Sequence, residues 1–305
     1  MTTVHTPSDR VADPAPTFEP PPRRRVSSDA AIATRKIAGI STKYLSLIIG
    51  VLFTLIPLSV VFIASFKTSQ EFGLTGPFDA PANWFNFENY VTAFEQGGMV
   101  EGFINTTIVL AFSLVGTIVI GTMAAYAIDR FTFRGKKLIV ALFLIATLIP
   151  GVTSQVATFQ IINGLGLYDN MAALVLLFMG TDIISIYIFI QFMQSIPVSL
   201  DEAAMIDGAN RWTIYWRVIL PLLKPAIATV VIIKGIAIYN EFYMPFLYLP
   251  SHEMISTSLF RFKGPFGAHW EIIAAGTVLV IIPTLIAFIA LQRFIYRGLT
   301  AGAVK

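Results

Sequence analysis

The feature that most constrains this chain is a series of six long windows that contain almost no charge. Four of them have no Asp, Glu, Lys or Arg, and the other two carry one or two such residues. A helix needs about 20 apolar residues to cross the hydrocarbon core of a bilayer, and each window is long enough. The predicted spans are about 44–66, 103–128, 138–162, 171–195, 225–248 and 272–292. We therefore predict an all-α integral membrane protein with six transmembrane helices.

The composition excludes several classes of protein. Of the 305 residues, 55% are hydrophobic and 13% are charged, whereas soluble domains contain about 25% charged residues. An ordinary soluble enzyme, a disordered chain and a nucleic-acid-binding protein are therefore excluded. The chain has no cysteine, which rules out a disulfide scaffold, a thiolate zinc site and a cysteine nucleophile. The three histidines are scattered, and the phosphate-loop, zinc-protease and nucleophile-elbow motifs are absent. We predict no catalytic site, no metal site and no cofactor bound by this chain.

Basic residues are distributed very unevenly among the loops. An even number of spans places both termini on one side of the membrane, and 17 of the 21 Lys and Arg residues fall on that side. The opposite loops hold only Lys67, Arg261 and Lys263. The positive-inside rule then predicts a multi-pass protein of the cell membrane with cytoplasmic N and C termini. Residues 1–37 are polar and proline-rich, so we predict a disordered cytoplasmic tail before a transmembrane domain at 38–305.

The connection between the fourth and fifth spans, residues 196–224, carries the most specific pattern. Ser199 and Glu202 have the S-x-x-E spacing of a capping box, which predicts the start of a short helix. Gly208 is suited to end it, because glycine accepts the left-handed cap conformation. A second helical stretch is predicted at 211–220. The result is a short helix–turn–helix that exposes small residues and a carboxylate at the inner face of the membrane.

This connection resembles the EAA loop of ABC importer permeases. That motif is written as EAA, three residues, G, nine residues and I-x-L-P, and here Val218 stands in place of the usual isoleucine. The residues that match the motif or its fuller E-A-A-x-x-D-G-A form are Glu202, Ala203, Ala204, Asp207, Gly208, Ala209, Leu220 and Pro221. We call residues 196–224 the EAA loop.

Other segments are similar to the carbohydrate permeases of this group. Residues 124–127 followed by Arg130 resemble the exit of the second span, and Tyr239-Asn240-Glu241-Phe242 resembles Trp-Asn-Glu-Phe. The best match is the smaller of the two paired permeases of maltose-type sugar importers. The resemblance implies a type I (MetI-like) importer permease core.

The resemblance also implies a function and a set of partners. The chain would form half of the translocation pathway of an ATP-driven, binding-protein-dependent sugar importer, with an oligosaccharide as the expected cargo. Its partners would be a second, larger permease, an ABC ATPase dimer that holds ATP and Mg, an extracellular solute-binding protein, the sugar substrate and the lipid bilayer, and no nucleic acid is expected. The EAA helix would sit in a groove on the ATPase. Ala203 and Ala204 would permit close approach there, and Glu202 or Asp207 would meet a basic side chain.

Three charged residues lie within the predicted spans: Asp182, Lys234 and Glu241. Charge at the centre of a membrane costs roughly 3 kcal/mol on insertion scales and suggests a functional site. The spacing of Lys234 and Glu241 predicts that they share a helix face, and Asn240 is a further candidate polar residue. Two interpretations remain open. Asp182 and Lys234 could form a structural ion pair, or these residues could line the pathway and contact sugar hydroxyls.

Two rival functions differ from an ATP-driven importer in their need for the EAA loop. A secondary transporter would work without an ATPase, and a membrane-embedded enzyme would carry its own catalytic site. Neither has a use for an exposed EAA helix. For Glu202 the plain alternative is a helix cap alone, which contributes about 1 kcal/mol of stability.

Overall fold

The computed structural model describes residues 29–180, 182–265 and 267–301. The chain divides into two compact units, 1–55 and 56–305. In the first unit, the described residues form the beginning of helix α1 (Asp29–Ala64). Of the predicted tail at 1–37, residues 1–28 lie outside the described residues. Residues 29–37 are helical, because this stretch is rich in alanine, the strongest helix former, and contains no proline.

The second unit contains the end of α1 and the remaining helices. In chain order these are α2 (Ser69–Leu74), α3 (Glu88–Gln96), α4 (Met99–Arg130), α5 (Lys136–Thr147), α6 (Gln155–Gly164), α7 (Met171–Met179), α8 (Ile183–Gln194), α9 (Ser199–Ile206), α10 (Arg211–Ile214), α11 (Leu220–Leu222), α12 (Lys224–Asn240), α13 (Tyr243–Tyr248), α14 (Ile255–Ser258) and α15 (Trp270–Ala301). Shorter helical turns are the 3₁₀ segments Gly151–Ser154 and Leu259–Phe262 and the π-helical segment Tyr215–Ile219. Two short strands, β1 (Lys263–Gly264) and β2 (Gly267–Ala268), pair antiparallel.

In the described part of the chain, three helices are long and apolar enough to cross a membrane without a break: Gly39–Ala64 within α1, Met99–Arg130 and Trp270–Ala290 within α15. Three further candidates are bent pairs. The bend is 96° between α5 and the stretch containing α6, 41° between α7 and α8, and 69° between Arg211–Leu222 and α12. The predicted helical membrane fold is confirmed, with three to six candidate spans.

Two of the predicted spans are interrupted where the sequence places proline or a polar pair. In the interval 138–162, α5 ends at Thr147 and Pro150 adopts an extended conformation with ψ 127°. Proline also disfavours the helical conformation of the residue before it. In the interval 225–248, α12 ends at Asn240 and the extended Glu241 precedes α13. The apolar length of the windows therefore predicted where the segments lie, and the proline and the polar pair mark where their helices are interrupted.

The buried core is organised around α4, which packs against α7, α8, α12 and α14. One apolar cluster surrounds the end of α4 that is nearest the EAA loop and includes Tyr126, Phe189 and Tyr215. At Gly121 a Cβ atom would come within 2.9 Å of the Phe189 ring. Glycine at this position therefore lets α4 and α8 pack closely.

Candidate functional site

The predicted short helix of the EAA loop is α9, and its start differs from the prediction. The residue that precedes the helix is Val198, and no side chain caps it. The amide of Glu202 donates to the carbonyl of Val198 at 3.1 Å, so the first turn begins one residue earlier than the capping box requires. Ser199 lies inside the helix, and the predicted Ser199–Glu202 capping box is wrong. The Glu202 carboxylate is therefore not engaged in capping α9.

The predicted end of this helix is confirmed. Gly208 has a φ of +84°, the left-handed conformation that glycine adopts at little cost. The amide of Gly208 donates to Met205 at 3.0 Å, and the amide of Ala209 donates to Ala204 at 2.9 Å. This pair of hydrogen bonds is a Schellman motif. It closes α9 tightly and turns the chain toward α10, where the side chain of Asn210 accepts a hydrogen bond from the amide of Thr213.

The residues of the EAA motif divide between two faces. Ala204, Ala209 and Leu220 pack against the apolar cluster around the end of α4. The exposed residues of the motif are Glu202, Ala203, Asp207, Gly208 and Pro221. The two alanines of the motif thus have different roles: Ala204 allows α9 to lie close to its own core, and Ala203 keeps the outer face shallow.

The outer face of α9 is both apolar and acidic. Ile206 is 87% exposed, and Leu200 and Met205 are also exposed. The carboxylates of Glu202 and Asp207 lie at exposed positions on the same short helix. Exposed apolar side chains rimmed by charge are typical of a protein interaction surface. The face is complementary in chemistry to a groove that is lined by apolar side chains and bordered by basic ones.

A buried ion pair holds the inner face of α9, and sequence reasoning missed it. Nε of Arg130, the last residue of α4, lies 2.9 Å from Oδ2 of Asp201, although the N–H group is not aligned for a hydrogen bond. The side chains are 5% and 1% exposed. Arg130 also donates from Nη2 to the carbonyl of Ile196 at 2.8 Å and pairs with Asp129 at 2.7 Å. Asp201 precedes the motif glutamate directly, and no local pattern marked it.

The candidate polar residues of the spans do not form one cluster. Nζ of Lys234 lies 3.2 Å from Oδ2 of Asp182, so the ion pair of the two open interpretations is present. Glu241 follows the end of α12 and accepts hydrogen bonds from the amides of Tyr243 and Met244. The predicted shared helix face of Lys234 and Glu241 is therefore wrong, because the helix ends between them. The side chain of Asn240 donates to the carbonyl of Ile236.

Within the described residues there is no group of three or more His, Cys, Asp or Glu side chains that could hold a metal ion. The site is the short helix α9 together with the contacts that hold it. Its parts are an acidic and apolar outer face, a glycine cap and a buried ion pair.

Comparison with known proteins agrees with this geometry. The profile of the family described as "Binding-protein-dependent transport system inner membrane component" matches residues 117–301. The probable starch degradation products transport system permease protein AmyC of Thermoanaerobacterium thermosulfurigenes is 30% identical, over 86% of this chain and 97% of the relative. The galactooligosaccharides transport system permease protein GanQ of Bacillus subtilis is 34% identical, over 72% of this chain and 80% of the relative.

A solved structure has a similar fold. A chain of a bacterial ABC transporter involved in the import of the acidic polysaccharide alginate aligns with a TM-score of 0.73 at 23% identity. The alignment covers 85% of this chain and 97% of that chain.

Proposed function

The chain belongs to the family of binding-protein-dependent transport system inner membrane components, and we propose that the outer face of α9 is its docking surface for the ATPase. The protein is a multi-pass inner membrane permease of an ABC importer, and a separate ATPase hydrolyses the ATP. The observation that carries the proposal is the division of the EAA motif. Glu202 and Asp207 face outward with Ile206, while Ala204 and the buried Asp201 face inward.

Docking of this face is favoured by its chemistry. Ile206 supplies apolar area that becomes buried on contact, and Glu202 and Asp207 supply acceptors for basic side chains of the partner. The Schellman cap at Gly208 and the inner ion pair hold the helix in shape before it binds. A preorganised surface loses less conformational entropy on binding, so more of the interaction energy remains for coupling.

An oligosaccharide is the cargo that we propose. The names of the two relatives given above refer to starch degradation products and to galactooligosaccharides. A second solved structure, with a TM-score of 0.62 and 20% identity, is a bacterial alginate ABC transporter in complex with an alginate pentasaccharide-bound periplasmic protein. These names support a sugar polymer of a few units as the class of substrate.

The proposed assembly contains this permease, a second and larger permease, an ABC ATPase dimer and an external solute-binding protein. The two permeases form the pathway together. Both termini of this chain and its EAA loop lie in the cytoplasm, a placement supported by the excess of basic residues in that set of loops. In this orientation the outer face of α9 is accessible to the ATPase.

Two substitutions on the outer face test the docking proposal. Glu202→Lys reverses one exposed charge, and Gly208→Leu places a bulky side chain at a φ of +84°. We expect each to lower ATP-dependent sugar uptake by at least about tenfold and to abolish co-purification of the ATPase. Glu202→Lys would remove a charge pair at the interface, and Gly208→Leu would strain the turn that ends α9. The amount of permease in the membrane should not change.

Glu95→Lys is the matched control, because it reverses an exposed glutamate on α3, outside the EAA loop. Its uptake and co-purification should match those of the wild type. Unchanged uptake in membranes from which no ATPase co-purifies would overturn the proposal in favour of a secondary transporter.

A further inference from the structure

The side chain of Arg130 joins three separate parts of the chain at one point. It contacts Asp129 within α4, the carbonyl of Ile196 at the start of the EAA loop, and Asp201 in the first turn of α9. Its fork of N–H groups suits several acceptors at once. The last residue of α4 therefore holds both the approach to α9 and α9 itself.

Burial makes this contact persistent. The Asp201 side chain is 1% exposed and that of Arg130 is 5% exposed. A carboxylate at such a position is strongly destabilised if its counter-charge moves away, because water cannot replace it. Arg211 is the other basic residue nearby, and its guanidinium lies over the Phe131 ring at 5.5 Å. When α9 moves, Arg130 and the end of α4 are therefore constrained to move with it.

The covalent route from α9 into the membrane is less direct. It passes through the left-handed turn at Gly208, the π-helical segment Tyr215–Ile219 and a 69° bend before α12. Each of these is a place where helical geometry changes and displacement can be absorbed. The ion pair crosses directly to α4, a 32-residue helix that packs against α7, α8, α12 and α14.

We propose that Arg130 and Asp201 are positioning residues that transmit the movement of α9 to α4, so that the force of the ATPase enters the membrane through the second span as well as through α12. The inference rests on the proposed docking of α9 to the ATPase. It adds a specific link between the docking helix and the core. Arg130 and Asp201 touch neither sugar nor nucleotide in this mechanism.

The test is the number of sugar molecules imported per ATP hydrolysed, measured on the complete transporter in proteoliposomes with its binding protein. Asp201→Asn removes the charge attraction with almost no change in shape, and Arg130→Gln removes it with a shorter side chain that can still donate a hydrogen bond. We expect the ATPase to co-purify and to hydrolyse ATP, while the ratio of sugar to ATP falls roughly fivefold to tenfold, as for substitutions within a coupling network. Arg134→Gln is the matched control, because Arg134 is exposed in the connection after α4.

Two results distinguish failure of the link from failure of the proposed function. If the wild-type transporter shows no ATP-dependent uptake, the proposed function is wrong. If the wild type transports and both variants keep its ratio of sugar to ATP, only the link is overturned.

A distance measurement covers the case in which the variants do not assemble. The chain has no cysteine, so Thr132→Cys and Ser199→Cys provide two unique sites in this subunit for spin labels. Both positions are exposed, one just after α4 and one at the start of α9. If the link holds, their separation should change by less than about 2 Å between the nucleotide-free and the nucleotide-trapped transporter, the size of a small helix shift. A change of about 5 Å, one helical turn, would overturn the proposal.

Discussion

Among the residues that the structure describes, two ion pairs tie one helix to another, and they differ in how completely they are buried. Asp182 immediately precedes α8 and pairs with Lys234 of α12, and their side chains are 15% and 21% exposed. Asp201 lies in the first turn of α9 and pairs with Arg130, and these side chains are 1% and 5% exposed. Both pairs connect a carboxylate near the start of a helix to a cation on another helix.

The two ion pairs also differ in what remains to the carboxylate when its cation is lost. The Asp182 carboxylate has a second partner, because Ser185 donates to it at 2.6 Å, and both side chains of this pair are partly exposed. The Arg130–Asp201 pair is closed, and its cation is shared with a backbone carbonyl. Loss of Arg130 therefore leaves the buried Asp201 without a counter-charge, whereas loss of Lys234 leaves Asp182 with its hydrogen bond from Ser185.

The largest effect is expected from Arg130→Met, which leaves Asp201 buried and unpaired. Breaking a buried pair in this way destabilises a protein by about 3–5 kcal/mol. Thermal unfolding of the purified transporter in detergent is the measurement, and Arg134→Met, at an exposed position, is the control. If Arg130→Met were as stable as Arg134→Met, the deeper burial of the Arg130–Asp201 pair would not make it more important for stability than the Asp182–Lys234 pair.

A smaller effect is expected from Lys234→Met in the same assay. Asp182 keeps its hydrogen bond from Ser185, so the loss should be about 1–3 kcal/mol, the range for an uncompensated polar group. Adding Asp182→Asn should restore much of the stability if the pair is structural.

Lys224→Met is the matched control for this substitution, because Lys224 is an exposed lysine at the start of the same helix. It should change stability by no more than about 0.5 kcal/mol. If the double variant is stable but has lost sugar uptake, the pathway interpretation of Asp182 and Lys234 gains support over the structural one.

The smallest effect is expected from Ser185→Ala, which removes the hydrogen bond to Asp182 and leaves the ion pair in place. A single hydrogen bond contributes about 1 kcal/mol, and rather more when one partner is charged. Ser195→Ala is a suitable control, since the hydroxyl of that exposed serine contacts the carbonyl of Phe192. If Ser185→Ala were as damaging as Lys234→Met, the hydroxyl and not the lysine would be the main partner of Asp182.

The two ion pairs were not equally predictable from sequence. Asp182 and Lys234 were noticeable in the sequence because charged residues are rare in apolar windows. An ion pair between them was one of the two interpretations that the sequence left open. Asp201 is followed directly by Glu202, and two adjacent carboxylates give no sign of which one faces inward. The predicted capping box assigned Glu202 to the wrong role, because a one-residue shift in the start of α9 changes which residue precedes the helix.

The sequence by itself determined the apolar windows and the cap at Gly208. These depend on two local properties, the transfer of side chains into lipid and the freedom of glycine. The tertiary structure decided which face of α9 is buried, that Ala204 packs inward while Ala203 does not, and that Arg130 meets Asp201. Those outcomes depend on the approach of α4 and α9, which are distant in sequence, and on the burial that only their packing creates.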